Sequence, residues 1–582
     1  MSSTLNGQVL SEKLGGHVLV DSLRTHGVEM VFGVPGESYL AVLDGLQDAN
    51  SIQTIICRQE GGATMMAEAY GKMTGKPGVC LVTRGPGATN ASAGVHIAMQ
   101  DSTPLVLLVG QVGRSMMDRE AFQEIDYRRM FGEISKWVAQ IEDPMRIPEY
   151  INRAFYTATS GRPGPVVLAL PEDMLTEFAD SPAINSYQKV QPYPSPSDLE
   201  TLQSLLNAAN APLMIIGGGG WDSAASTKIQ EFADRNNLAV GCSFRCQDYF
   251  DNRHPNYVGH IGIGLSPSLE KRVLEADLLL VVGARLGEIT TGGYKLLNIP
   301  KPNQKLVHVH GGAEELGSVY QPDLPINAGP CQFADAIHNL VLENSSRWAS
   351  STLEGNKAYL ETLKPQPIPG DVQMGEIASW LNQKLPEDAF ICNGAGNYAT
   401  WMHRFYQYRK YRTQLAPTSG SMGYGLPSAV AAKLVHPERV VVSMNGDGCF
   451  MMHGQELATA MQYGANIIII IVNNGMFGTI RMHQEREYPG RIANTGLQNP
   501  DFAALARAYG AAGELVTKTE EFYPAFERAL EASTPTIIEI KIHPDAISPA
   551  TTLSAIREAA LKEADKICLL YTSPSPRDQR GS

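Results

Sequence analysis

The 582-residue sequence lacks any apolar run approaching the roughly 18 residues that a membrane-crossing helix needs. Ile467 to Val472 has only the length of an interior strand, so no membrane partner is expected. Basic charge is scarce as well. With 47 Lys and Arg against 60 Asp and Glu, the formal charge is −13. The concentrated cations that bind nucleic-acid phosphates are missing, which argues against such a partner. Cysteines are few and scattered. Of the eight, only Cys242 and Cys246 are close together, and no second pair completes a zinc site. Free thiols in a reducing compartment are the expectation. MSSTLNGQVLSEK at the start has no basic region followed by an apolar one, so a cytoplasmic location is expected.

What the sequence does have is an alternation of short apolar runs with helix-like stretches, the pattern of parallel α/β sheets. The fold class expected is α/β with three doubly wound parallel-sheet domains, in keeping with the chain's length. Apolar runs at Ile52 to Cys57, Val79 to Val82, Leu105 to Val109 and Val166 to Leu170 define a first unit, residues 8–181. A Pro- and Ser-rich stretch, 182–197, reads as a linker. A middle unit, 198–345, has runs at Leu213 to Ile216, Leu278 to Val282 and Leu306 to Val309. A second linker, 346–371, precedes a third unit, 372–550, with runs at Phe390 to Cys392, Val440 to Met444, Ile467 to Val472 and Thr536 to Ile542. Residues 551–582 read as a C-terminal helix over Ala555 to Ile567 and a disordered tail. The last fifteen residues, CLLYTSPSPRDQRGS, have the look of a read-through scar and carry no functional weight.

The most informative segment runs from Gly446 to Asn474. A buried strand ends in Gly446-Asp447-Gly448, a helix-like stretch follows, and a second strand ends in Asn473-Asn474. Parallel strands joined by a helix bring their C-terminal ends side by side. Asp447 and Asn474 therefore converge beside a helix N-terminus. Hard oxygen donors suit Mg²⁺ and the helix end suits a diphosphate. GDG followed by NN at this spacing resembles the cofactor domain of thiamine-diphosphate enzymes, in the acetohydroxyacid (acetolactate) synthase and pyruvate oxidase group.

That resemblance covers roughly residues 8 to 550 and implies a pyrimidine-binding first unit and a diphosphate-binding third unit around a middle unit of different topology. It implies Mg²⁺ held by Asp447, Asn474 and the Met476 backbone carbonyl, with Gly446, Gly448 and Cys449 lining the diphosphate. Glu60, after a strand in CRQEGGATMMAEAYGK, would hydrogen-bond the pyrimidine N1′ and activate the cofactor. A buried Glu with a raised pKa would suit that task. Met422 would be the apolar wedge beneath the bent cofactor, and the Gly420 carbonyl would accept from its 4′-amino group. Asn397 and Tyr398 would form a second diphosphate loop, and Gln123 in EAFQEID would point at the cofactor. RGPGATN (Arg84 to Asn90) looks like a tight loop at a dimer contact.

The resemblance also implies a homodimer or homotetramer with active sites between subunits, and leaves room for a small regulatory subunit. FAD stays open: the Gly217 to Gly220 run follows a strand, which is weak ground for a dinucleotide, and His310 stands where an acidic residue is usual. The expected activity is decarboxylation of a 2-oxo acid with carboligation. Two departures from the synthase pattern bear on the acceptor. Ile289 and His483 replace an Arg and a Trp that recognise it, and Ile480 stands where pyruvate decarboxylases have a Glu. An aldehyde lyase, a simple decarboxylase and a non-catalytic cofactor-binding paralogue are the alternatives.

Overall fold

The computed structural model describes residues 3–5, 8–10, 12–180, 182 and 184–572. Three six-stranded sheets, each wholly parallel, follow one another along the chain. Their interior strands are apolar on both faces because helices cover both sides. Leu278–Val282 and Pro165–Pro171, for example, are buried from end to end.

Counted in chain order within each unit, the first and third sheets share the order 2-1-3-4-6-5, whereas the middle sheet runs 3-2-1-4-5-6. The outer units are thus alike in topology and the middle one differs. One continuous apolar core joins the outer two, running through helices Glu60–Thr74 and Gly425–Val435. The middle unit has cores of its own.

Both segments read as linkers are packed against neighbouring units. In 182–197, Tyr187 stacks edge-on to His26 and tilts against Phe155. In 346–371, helix Ala349–Glu361 lies on the middle unit, because Trp348 is buried there and its indole donates to the Asn236 carbonyl at 2.8 Å. The C-terminal helix spans Leu553–Thr572 and so extends past Ile567 into the stretch read as aperiodic. The rest of the expected disordered tail, 573–582, lies outside the described residues.

Candidate active site

Strand Val441–Gly446, buried throughout, delivers Asp447 to the C-terminal edge of the third sheet, where helix Asp447–His453 begins. The neighbouring strand Ile468–Asn473 pairs Val472 with Gly446, which brings Asn473 and Asn474 alongside. Two glycines let aromatic rings pack directly on this edge. A Cβ on Gly446 would fall 2.7 Å from the Tyr398 ring, and one on Gly448 would fall 2.6 Å from the Phe477 ring. Asp447 is only 3% exposed. Its carboxylate accepts from the Gly448 and Gly475 N–H groups at 2.9 and 3.0 Å and from the Asn499 amide at 2.7 Å. Burial nevertheless raises its pKa, with those bonds opposing the shift.

Asp447 and Asn474 line one cleft of about 240 Å³ together with Met476, Gly420, Met422 and Ile480. A single buried carboxylate, an amide oxygen and a main-chain carbonyl make a hard donor set that fits Mg²⁺ with phosphate oxygens filling the rest. Gly446 and Gly448 line this cleft too and present main chain without side chains to it, which suits a diphosphate. Asn473 is outside the cleft lining but shares two donors with Asp447. It donates to the buried Glu539 at 2.8 Å, and its oxygen accepts from Gly475 and Asn499, both at 3.0 Å.

The loop bearing Gly420 and Met422 is pinned at both ends to the first unit of the same chain. Thr418 donates to Asp101 through its N–H and hydroxyl, at 2.8 and 2.5 Å. The Tyr424 hydroxyl donates to Glu68 at 2.5 Å. Lys72 pairs with Asp101 between these anchors. Burial raises the Glu68 carboxyl above the usual range, with the Lys72 ammonium pulling the other way. Gly420 and Gly423 hold φ values of 69° and 82°, which favour glycine. Half-buried Met422 packs on the third unit's core.

Glu60 opens its helix just beyond the edge strand Gln53–Ile56. It is half-buried rather than enclosed, because an edge strand has cover on one side only. The Asn90 amide donates to its carboxylate at 2.9 Å. Gln123 reaches the same edge in a left-handed conformation, φ 66°, and its carbonyl would lie 2.7 Å from a Cβ on Gly85. Glu60 and Gln123 thus flank the segment Arg84 to Asn90, expected to be a tight loop, which turns at Gly85 and continues from Pro86 as the start of helix Pro86–Asp101. Among the described residues, none from the first unit lines the Asp447 cleft.

Other candidates take more qualified positions. Tyr398 lines the cleft with its ring, while its hydroxyl is turned inward to Cys449 Sγ at 3.1 Å and accepts from the Gly394 N–H at 3.0 Å. Asn397 is tied to helix Gly478–Glu487, where the Thr479 hydroxyl donates to its oxygen at 3.0 Å. Ile480, 55% exposed, projects from that helix into the cleft. His483 lies exposed on the same helix, 3.4 Å from the Arg486 guanidinium, and is not part of the lining.

Ile289 lies in a different cavity, of about 370 Å³, with Arg245, Asp248 and Tyr249. A single chain therefore does not unite Ile289 with Ile480 and His483. The Gly217 to Gly220 run is packed tightly on one side, while Gly218 borders the Ile289 cavity and a Cβ on Gly220 would have no neighbour nearer than 3.5 Å. Cβ atoms on Gly217, Gly218 and Gly219 would fall 1.9, 1.9 and 2.2 Å from Ser243, Gly283 and Ser102. Beyond it, Glu315 pairs with Arg162 at 2.8 Å and Arg285 at 2.9 Å, and His310 accepts from the Gly312 N–H at 3.0 Å.

Three family models match in order along the chain. They are the N-terminal TPP binding domain, the central domain and the C-terminal TPP binding domain of thiamine pyrophosphate enzymes, over residues 13–130, 199–337 and 394–540. The chain belongs to the thiamine pyrophosphate enzyme family. Within it the chain is similar to the acetolactate synthase large subunit of Corynebacterium glutamicum, 32% identical over 91% of this chain and 87% of that one. It is equally similar to the acetolactate synthase of Arthrospira platensis, 32% identical over 92% and 96%. The isozyme 3 large subunit of Escherichia coli K12 is 31% identical over 89% and 92%.

Sequence reasoning missed three residues of this region: Asn499, Glu539 and Asn90 as the Glu60 partner. Asn499 lies in a loop without a motif, and Glu539 sits inside a strand read only as apolar. No local signal points to either.

Proposed function

We propose that the chain decarboxylates a 2-oxo acid and ligates the remaining acyl unit to an acceptor, using thiamine diphosphate and Mg²⁺. The observation that carries this reading is the sharing of one cleft by Asp447, Asn474, Gly420 and Met422. Bound there, the cofactor would supply an acidic C2–H and an electron sink for the pair left by departing CO₂. Asp447, Asn474 and the Met476 carbonyl would hold the metal. Gly446 and Gly448 would leave room for the diphosphate beside the helix that Asp447 begins. Met422 would press on the rings, the Gly420 carbonyl would orient the amino group, and Glu60 would hold a proton at the pyrimidine nitrogen.

Glu60 and the Asp447 cleft share no lining residue within one chain, so Glu60 of a second copy would complete the site. Phe122, Met451 and Met452, at 72, 52 and 45% exposure, supply apolar surface for that contact. Specific activity should therefore fall on dilution in step with the loss of dimer in light scattering. Full activity in a nanomolar monomer would contradict the shared site.

Acceptor choice follows from Ile289 and His483. An Ile offers no charge-assisted hydrogen bond to an acceptor carboxylate, a loss of about 1.5–3 kcal/mol, or roughly ten- to a hundredfold in selectivity. Product analysis with pyruvate alone and with pyruvate plus aldehydes should give little acetolactate and more of the mixed product. Ile289→Arg with His483→Trp should raise acetolactate formation. A low Michaelis constant for the second pyruvate in the parent enzyme would remove the basis for this assignment.

A further inference from the structure

Glu456 is fully buried, with 0% exposure, in a short turn nine positions after Asp447 in the third unit. A buried carboxylate is costly unless several donors satisfy it, and its donors are informative. One oxygen accepts from the Arg58 and Gln59 N–H groups at 3.1 and 3.0 Å. The other accepts from the Thr459 hydroxyl at 2.6 Å and shares the Arg58 N–H at 3.2 Å. The Arg58 guanidinium makes no bond to the carboxylate and acts on it only through its nearby charge; it bonds the Ile56 carbonyl and Gln462, at 3.0 and 2.6 Å. The carboxylate is instead met by the two peptide N–H groups that lead directly into Glu60, at the positive end of a fifteen-residue helix.

The fit around this clamp is close. A Cβ on Gly62 would fall 2.7 Å from the Glu456 carboxylate, and one on Gly61 would fall 3.0 Å from His453 Nε2. Gln59 caps the helix from within, its side chain accepting from the Gly62 N–H at 3.0 Å. An ordinary N-cap already serves this helix, so Glu456 has a different effect. It fixes the peptide planes of residues 58 and 59 and hence the direction in which Glu60 leaves the sheet edge.

We propose that Glu456 is a positioning residue that sets the Glu60 carboxylate for proton transfer at the cofactor. This rests on the reading of Glu60 given above. Asp447 and Glu456 bracket one stretch of chain. The residues proposed to hold one cofactor's metal and to aim the carboxylate serving the partner's cofactor are therefore carried by one short stretch, a helix and the turn that follows it.

The test is hydrogen–deuterium exchange at C2 of thiamine diphosphate on the full-length enzyme with Mg²⁺, followed by NMR after acid quench, beside calorimetric cofactor affinity. Glu456→Gln keeps the shape but turns an amide toward one of the peptide donors. Exchange and kcat should fall together by about tenfold to a hundredfold, within the usual range of acid–base effects. Cofactor affinity and the Michaelis constant should stay within about threefold of the parent. Glu456→Asp, which retains the charge, should recover part of the exchange rate. Parent-like exchange in Glu456→Gln, with Glu60→Gln slow, would overturn the positioning role alone. Parent-like exchange in Glu60→Gln would overturn the Glu60 reading and this proposal with it. Should Glu456→Gln not fold, Thr459→Val removes the shortest bond to the carboxylate, leaving that oxygen the longer Arg58 N–H alone, and should slow exchange severalfold; no change there would equally overturn the role.

Discussion

Asp447→Ala eliminates thiamine-diphosphate binding at micromolar Mg²⁺ while the chain remains folded. The magnitude follows from the contacts. Asp447 is the one carboxylate among the proposed metal donors and is almost wholly buried. Removing one partner of a buried charge pair costs about 3–5 kcal/mol, which is roughly two to four powers of ten in affinity. The variant also leaves the Gly475 N–H and the Asn499 amide without one acceptor, and the Gly448 N–H, which lines the cleft, without its Asp447 acceptor. The Asn499 amide keeps its bond to Asn473, and the Gly475 N–H keeps the Asn473 oxygen. The structural cost is therefore limited to about 1–3 kcal/mol. Isothermal calorimetry across a Mg²⁺ series, with circular dichroism as the fold control, reads both. An unchanged affinity at low Mg²⁺ would remove Asp447 from the metal site.

Glu60→Gln retains the cofactor and slows C2 proton exchange by roughly 10²–10⁴-fold, the range of a well-placed acid–base group. The amide is isosteric and its oxygen can still accept from Asn90, which now holds the carboxylate at 2.9 Å. The position of the side chain should therefore survive while its proton chemistry is lost. Binding and exchange separate under this substitution as they cannot under Asp447→Ala. Exchange as fast as in the parent would make Glu60 a bystander.

The parts of the fold that could be read from the sequence are those buried on both faces. Ile467 to Val472 and Leu278 to Val282 are unbroken apolar runs, and both are interior strands. The unread strands are mostly those that close a sheet: Gln414–Leu415 and Ala512–Val516 are the two edges of the third, and Tyr257–Ile261 and Leu324–Asn327 the edges of the middle one. Edge strands are short and partly solvated, so their residues need not be continuously apolar. Met30–Gly33 is an exception, a central strand too brief to stand out. At the site, Asp447 and Asn474 were readable because strand ends fix their meeting point. The anchoring of Gly420 and Met422 by Asp101 and Glu68 was not, since those pairs lie more than 300 positions apart in sequence.

The apolar core that runs unbroken from the first unit into the third bears on how freely this chain can change. A side-chain exchange on the shared face of helix Glu60–Thr74 or Gly425–Val435 is felt at once by the pyrimidine-side edge and by the loop that carries Met422. Substitutions there must be compensated across two units, so the outer thirds of the sequence should drift slowly and as a pair. The middle unit encloses its own cores but is tied to the third by buried polar groups: Arg245 donates to the Gly394 carbonyl at 2.8 Å and to that of Pro417, and Asp248 accepts from the Thr413 and Gln414 N–H groups at 2.9 and 3.1 Å. Away from that seam, its separate cores should diverge more freely than the shared one.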